Sequence, residues 1–100
     1  MTTKLHPVHP GEILTEDFLN PMQLTPYAVA ARTGVPRTRI EQLAHQETKM
    51  TADTALRLGR FFDISPAFWM NIQAQYDLER AEDEAALSLA AITPYHHEEA

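Results

Sequence analysis

Residues 25–43 read T-P-Y-A-V-A-A-R-T-G-V-P-R-T-R-I-E-Q-L, and their spacing decides the fold. Thr25-Pro26 is a helix start: a capping hydroxyl, then a proline whose missing N–H does no harm in a first turn. The helix it opens, Pro26 to Thr33, ends at Gly34, the residue best suited to a left-handed C-terminal cap. Val35-Pro36 restarts the chain, since a residue before proline avoids the α region, and a third helix is expected from Pro36 to about Ala44. Two short helices joined by a tight turn need a small residue where they cross, a glycine at the turn and apolar residues filling the angle. Ala30 and Gly34 meet the first two needs, and Val29, Val35, Ile40 and Leu43 meet the third. These are helix-turn-helix offsets, in which the second helix lies in the DNA major groove.

Outward from this stretch, strand signals are nearly absent and the chain reads as all-α. A first helix is expected from near Pro10 to before Pro21, with Glu12 favouring its N-terminus and Leu14 and Phe18 one turn apart. Thr51 caps a fourth helix, with Asp53 in its first turn and Ala52, Ala55, Leu56, Gly59 and Phe62 expected on one face. Ser65-Pro66 opens a fifth, carrying Phe68, Trp69, Ile72 and Tyr76; whether it breaks near Asp77 is open. Residues 80–92 are alanine-rich and helix-prone. The chain is expected to be one domain, 1–100, with the helix-turn-helix at about 25–44, a C-terminal helical extension at about 78–92 and a frayed tail at 93–100.

The 100 residues carry no cysteine, which excludes disulfides, thiolate zinc sites and thiol nucleophiles. No apolar run reaches the length of a membrane helix, and the start carries no secretory h-region, so a cytoplasmic location is expected. The net charge of −6 speaks against nucleic acid until it is resolved by segment. Residues 1–24 hold Lys4 against Glu12, Glu16 and Asp17, a net −2. Residues 25–60 hold Arg32, Arg37, Arg39, Lys49, Arg57 and Arg60 against Glu41, Glu47 and Asp53, a net +3. Residues 61–100 hold Arg80 against Asp63, Asp77, Glu79, Glu82, Asp83, Glu84, Glu98 and Glu99, a net −7. The basic third coincides with the helix-turn-helix.

On the third helix Ile40 and Leu43 point inward, which turns Arg37, Thr38, Glu41 and Gln42 outward as candidates for base edges. Arginine can bond guanine bidentately and glutamine can bond adenine, each worth about 1–3 kcal/mol of discrimination. Arg39 and Lys49, with Thr25 and Tyr27 at the start of the second helix, are candidates for phosphate. His6 and His9, or His96 and His97, have no cysteine or carboxylate cluster around them. They read as solvated terminal histidines, and no metal or other cofactor is expected. Glu12, Glu16 and Asp17 read as helix-dipole compensation rather than acid–base catalysts, and Trp69 with Phe68 and Tyr76 as a core stripe. The acidic run Glu79 to Glu84 reads as a solvated face, its functional reading being contact with a basic protein.

Four runs in order, H-P-G-E-I-L at 9–14, V-P-R-T-R-I at 35–40, T-A-D-T-A-L-R-L at 51–58 and S-P-A-F-W-M-N-I-Q at 65–73, resemble the HigA antitoxin family. These are Xre-type, lambda-repressor-like proteins of type II toxin–antitoxin modules, and the resemblance spans roughly residues 6–80. It implies a five-helix lambda-repressor-like DNA-binding domain, here with the C-terminal helical extension added. It also implies a homodimer that binds double-stranded operator DNA, represses its own operon and sequesters a HigB-type mRNA endonuclease toxin, without being an enzyme itself. Pro26 stands where relatives usually carry a phosphate-binding glutamine. His45-Gln46-Glu47-Thr48 stand where they often read R-G-K-R, so a glycine cap and basic residues are missing and the salt dependence should be shallow. Two alternatives stay open: a solitary Xre-type regulator without a toxin, and a toxin-sequestering protein that has lost DNA binding.

Overall fold

The computed structural model describes residues 6–96, whose regular elements are all helices with no strand among them. Helix α1 runs in three sections: α-helix over Pro10–Ile13, π-helix over Leu14–Leu19 and α-helix again over Asn20–Met22. Then come α2 (Pro26–Thr33), α3 (Arg37–Ala44), α4 (Ala52–Phe62), α5 (Pro66–Glu84) and α6 (Ala86–Ala90). The hydroxyls expected to start helices do so. Thr25 Oγ1 accepts from the Ala28 N–H at 3.1 Å, Thr51 Oγ1 from Thr54 at 3.3 Å and Ser65 Oγ from Ala67 at 3.1 Å.

One buried cluster draws on all of α1 to α5: Leu14, Leu19, Val29, Val35, Ile40, Leu43, Met50, Ala55, Leu58 and Trp69. Trp69 is fully enclosed, with Phe18 at 5.2 Å between ring centroids. Gly11 lets α1 lie against the end of α3, because a Cβ there would land on the Leu43 carbonyl oxygen. Gly59 likewise lets α4 meet the turn into α5, where a Cβ would come within 2.7 Å of the Ile64 oxygen.

Several expectations need correction. α1 does not stop before Pro21 but continues to Met22. In the π section Asn20 bonds back five residues to Thr15, and this wider turn relieves the clash that a proline ring makes with the carbonyl four residues earlier. Pro36 is the cap of α3 (ψ 140°), so the helix begins at Arg37. The buried face of α4 is Thr54, Ala55, Leu58 and Gly59, whereas Ala52 and Leu56 face solvent. Phe68 is 40 % exposed, so the α5 stripe is core at Trp69 and surface one residue earlier. The same helix passes Asp77 without a break and ends at Glu84. His9 is buried rather than solvated. Of the expected frayed tail, 93–96 are exposed and non-helical, while 97–100, His97 included, lie outside the described residues, as does Lys4.

Candidate nucleic-acid interface

The corner between α2 and α3 is set by its own residues. Gly34 takes φ +81°, and its N–H bonds to the Ala30 carbonyl at 3.0 Å. The Thr33 hydroxyl donates to the Val29 carbonyl at 2.8 Å and accepts from the Val35 N–H at 3.2 Å, clamping the turn from both sides. Val29, Val35, Ile40 and Leu43 are buried in the angle, and Ala30 packs beside them.

With Ile40 and Leu43 inward, helical periodicity turns Thr38, Glu41 and Gln42 away from the core, with Arg37 beside them. Arg37, Thr38, Arg39 and Gln42 are exposed, and Glu41 is half-buried. The structure also joins two of the base-edge candidates: Arg37 Nε lies 3.5 Å from Glu41 Oε2, an i,i+4 ion pair. No side chain caps α3, so its first N–H groups add to the positive end of the helix dipole. Tyr27 is 67 % exposed at the start of α2, Lys49 is exposed in the loop after α3, and Thr25 uses its hydroxyl as a cap acceptor while remaining exposed.

Three supporting residues escaped the sequence reading. Arg57, counted among the basic footprint, is a strut. Its Nη1 donates to the Thr33 carbonyl at 3.0 Å while Nε lies 3.1 Å from Asp53 Oδ2, so α4 holds the end of α2. The Asp53–Arg57 spacing was visible, but the reach back across 24 residues to Thr33 was not. Gln73, buried on α5, accepts from the Met50 N–H at 2.7 Å and donates to Asp77 at 2.9 Å, pinning the loop that follows α3. His9 caps α1 through Nδ1, which accepts from the Gly11 N–H at 2.8 Å, and its ring meets Tyr76 edge-on at 4.8 Å. Burial pushes its pKa below the ordinary 6.5, against the pull of the Thr48 backbone, Asp77 and Glu12.

The basic surplus is therefore smaller in space than in sequence. Arg37 and Arg57 are ion-paired, and Arg32 lies over the Phe61 ring at 5.9 Å. Arg39 and Lys49 have no ion-pair partner among the described residues. Also among these, no group of three or more His, Cys, Asp or Glu is placed to hold a metal ion. Among the described residues no helix is long and apolar enough to cross a membrane.

No family model matches the sequence. The chain is 44 % identical over 77 residues to virulence-associated protein I of Dichelobacter nodosus, covering 77 % of this chain and 71 % of that one. It is 38 % identical over 87 residues to antitoxin HigA-1 of Vibrio cholerae, covering 83 % and 82 %. Its fold superposes on the Pseudomonas aeruginosa antitoxin HigA, solved with the higBA promoter. The TM-score is 0.86 at 36 % identity, over 91 % of this chain and all of that one. The corner, the five-helix frame and these relatives agree: the chain belongs to the HigA family of helix-turn-helix antitoxins.

Proposed function

We propose that this protein is an antitoxin and transcriptional autorepressor, acting in the cytoplasm and without catalytic activity. It binds operator DNA as a dimer with α3 in the major groove and neutralises a HigB-type toxin by covering its RNA-binding surface. The observation that carries the DNA reading is the outward face of α3, where Arg37, Thr38, Glu41 and Gln42 cluster above a fully buried Ile40 and Leu43. Such a face supplies a guanine fork, an adenine pair, an acceptor for cytosine and a methyl for thymine. Arg39, Lys49, Thr25 and Tyr27 hold phosphate, which fixes register without reading sequence. One unit buries little DNA, so two copies on half-sites about one helical turn apart are expected.

Gel shifts on the protein's own promoter at several salt concentrations test this. Arg37→Ala is expected to weaken binding by about 1–3 kcal/mol and to relax the preference at one base pair. Binding as tight as wild type at every salt concentration overturns the assignment. The loop after α3, where His45, Gln46, Glu47 and Thr48 leave Lys49 as the nearest cation, favours a second reading, a toxin-sequestering protein that no longer binds DNA. Co-purification of a small basic toxin with no promoter shift would select that reading.

A further inference from the structure

Helix stability does not account for the ion pair on the outward face of α3. Arg37 is the first residue of that helix, where no side chain caps the N-terminus and no acidic residue lies in the first turn. A cation placed there meets the positive end of the helix dipole, which opposes it. The order of the pair, arginine before glutamate at i,i+4, is also the weaker of the two orders. Both side chains are open to water, at 59 % and 44 % exposure, where such a pair adds little to folding. Glu41 has no second ion-pair partner among the described residues.

What the pair does fix is the direction of the guanidinium. Glu41 Oε2 approaches Arg37 at Nε, 3.5 Å away, and neither Nη makes a hydrogen bond among the described residues. The end-on fork of Nη1 and Nη2, which matches guanine O6 and N7, is therefore left open. We infer that Glu41 is a positioning residue: it holds Arg37 from the Nε side and aims the fork at a guanine, instead of reading a cytosine of its own. The inference rests on the DNA reading of α3 and deepens it. A long side chain that is already held loses less freedom on binding than a free one. A lone carboxylate carried into the groove meets the negative field of the phosphates, whereas one paired with arginine is neutralised. No neighbour takes its place, since Gln42 is uncharged and Arg39, two residues from Glu41, lies off its face. Specificity and affinity therefore separate at Glu41. Removing the carboxylate takes a repulsive charge off the DNA-facing surface and loosens the arginine that reads the base.

Competition between promoter fragments, each with one base pair of the half-site changed, tests this with four variants: Arg37→Ala, Glu41→Ala, Glu41→Gln and the double alanine chain. Glu41→Ala is expected to lower discrimination about three- to tenfold at the same base pair that Arg37→Ala relaxes, with binding to unrelated DNA no weaker. In the Arg37→Ala background the same change should remove no further discrimination, because the group it positions is gone. Glu41→Gln keeps an oxygen for Nε and should retain most of the discrimination. Circular dichroism of each variant confirms that it is folded. A loss at a different base pair, additive with Arg37→Ala, makes Glu41 a reader in its own right and overturns the inference. Unchanged discrimination in Glu41→Ala does the same, as expected of a surface contact without a role. So does a Glu41→Gln variant as impaired as Glu41→Ala. Those three results leave the DNA reading standing, whereas a wild-type chain that shifts no promoter fragment overturns both.

Discussion

The molecule divides at Gln73. From Pro10 to Gln73 each helix buries at least one side chain, and beyond Gln73 no described residue is buried although the helix runs on to Glu84. The first part holds its groups in fixed geometry: Gly34 turns the corner, Thr33 clamps it, and Arg57 and Gln73 tie α4 and α5 to its two ends. The second is a projecting helix with Asp77, Glu79, Glu82, Asp83 and Glu84 against Arg80, then an uncharged arm. Reading a base sequence demands side chains held in place by a core, and the packed part provides that. Surface without a core is left to solvent or to a partner.

The sharpest way to test this contrast is to remove side chains on either side of the division. Trp69→Ala, inside the core, is expected to lower the free energy of unfolding by about 3–5 kcal/mol. Leu78→Ala, 55 % exposed on the same helix, should change it by less than about 0.5 kcal/mol. Urea denaturation followed by circular dichroism measures both. A loss of several kcal/mol at Leu78 would mean that the C-terminal part is packed in the folded chain and would erase the distinction.

The division extends to charge. Lys49→Ala should reduce the slope of log affinity against log salt by about 1, because one phosphate contact goes, while Glu84→Gln should leave the slope unchanged. Promoter titrations across salt read both. A slope altered by Glu84→Gln and indifferent to Lys49→Ala would move the phosphate-facing surface to the wrong half.

His9 sits on the boundary itself, capping α1 and touching Tyr76 on the last packed stretch of α5. Its folded pKa lies below the ordinary 6.5, so the unfolded chain takes up a proton first as the pH falls. The stability this histidine contributes is complete above about pH 6.5 and is lost as the pH drops through the lowered folded value. Protonation of Nδ1 also removes the acceptor for the Gly11 N–H. His9→Asn keeps a capping side chain without titrating in this range. Urea midpoints from about pH 7.5 to about pH 5.5 should therefore fall less steeply in the variant than in the wild type. Parallel slopes would place the titrating group elsewhere.

What was legible in the sequence is what neighbours in the chain decide. Thr25-Pro26, Thr51 and Ser65-Pro66 start helices because the cap bonds lie two or three residues away, and the inward Ile40 and Leu43 fix the outward face of α3 by periodicity alone. What was not legible depends on residues far along the chain. Leu56 has the right composition for a core face, but α4 packs through Leu58 and Gly59 instead. His9 looked solvated because Tyr76, Gly11's fit against Leu43 and the Thr48 backbone assemble around it only in three dimensions. Arg57 counted toward the basic surplus of residues 25–60 because Thr33, the carbonyl it holds, is nowhere near it in sequence.

The loss of the glycine after α3 shows how composition and conformation part company. Relatives that read R-G-K-R place glycine where this chain has Gln46, and a missing glycine suggests a missing cap. Yet Gln46 adopts φ +63°, its N–H bonds to the Leu43 carbonyl at 2.9 Å, and Glu47 bonds back to Gln42 at 2.7 Å. That is the Schellman closure that glycine would make, carried by a residue with a Cβ. The left-handed conformation costs such a residue about 1–2 kcal/mol, and glycine would return part of this gain through its more disordered unfolded state. Gln46→Gly is thus expected to stabilise the chain by roughly 1 kcal/mol or less, the smallest effect here, with promoter affinity unchanged because the loop path is the same. A variant that melts lower than wild type would mean that the Gln46 side chain contributes a contact outweighing its backbone strain. The end of α3 would then be held from the C-terminal half, through the cleft that Gln46 shares with Tyr76 and Arg80.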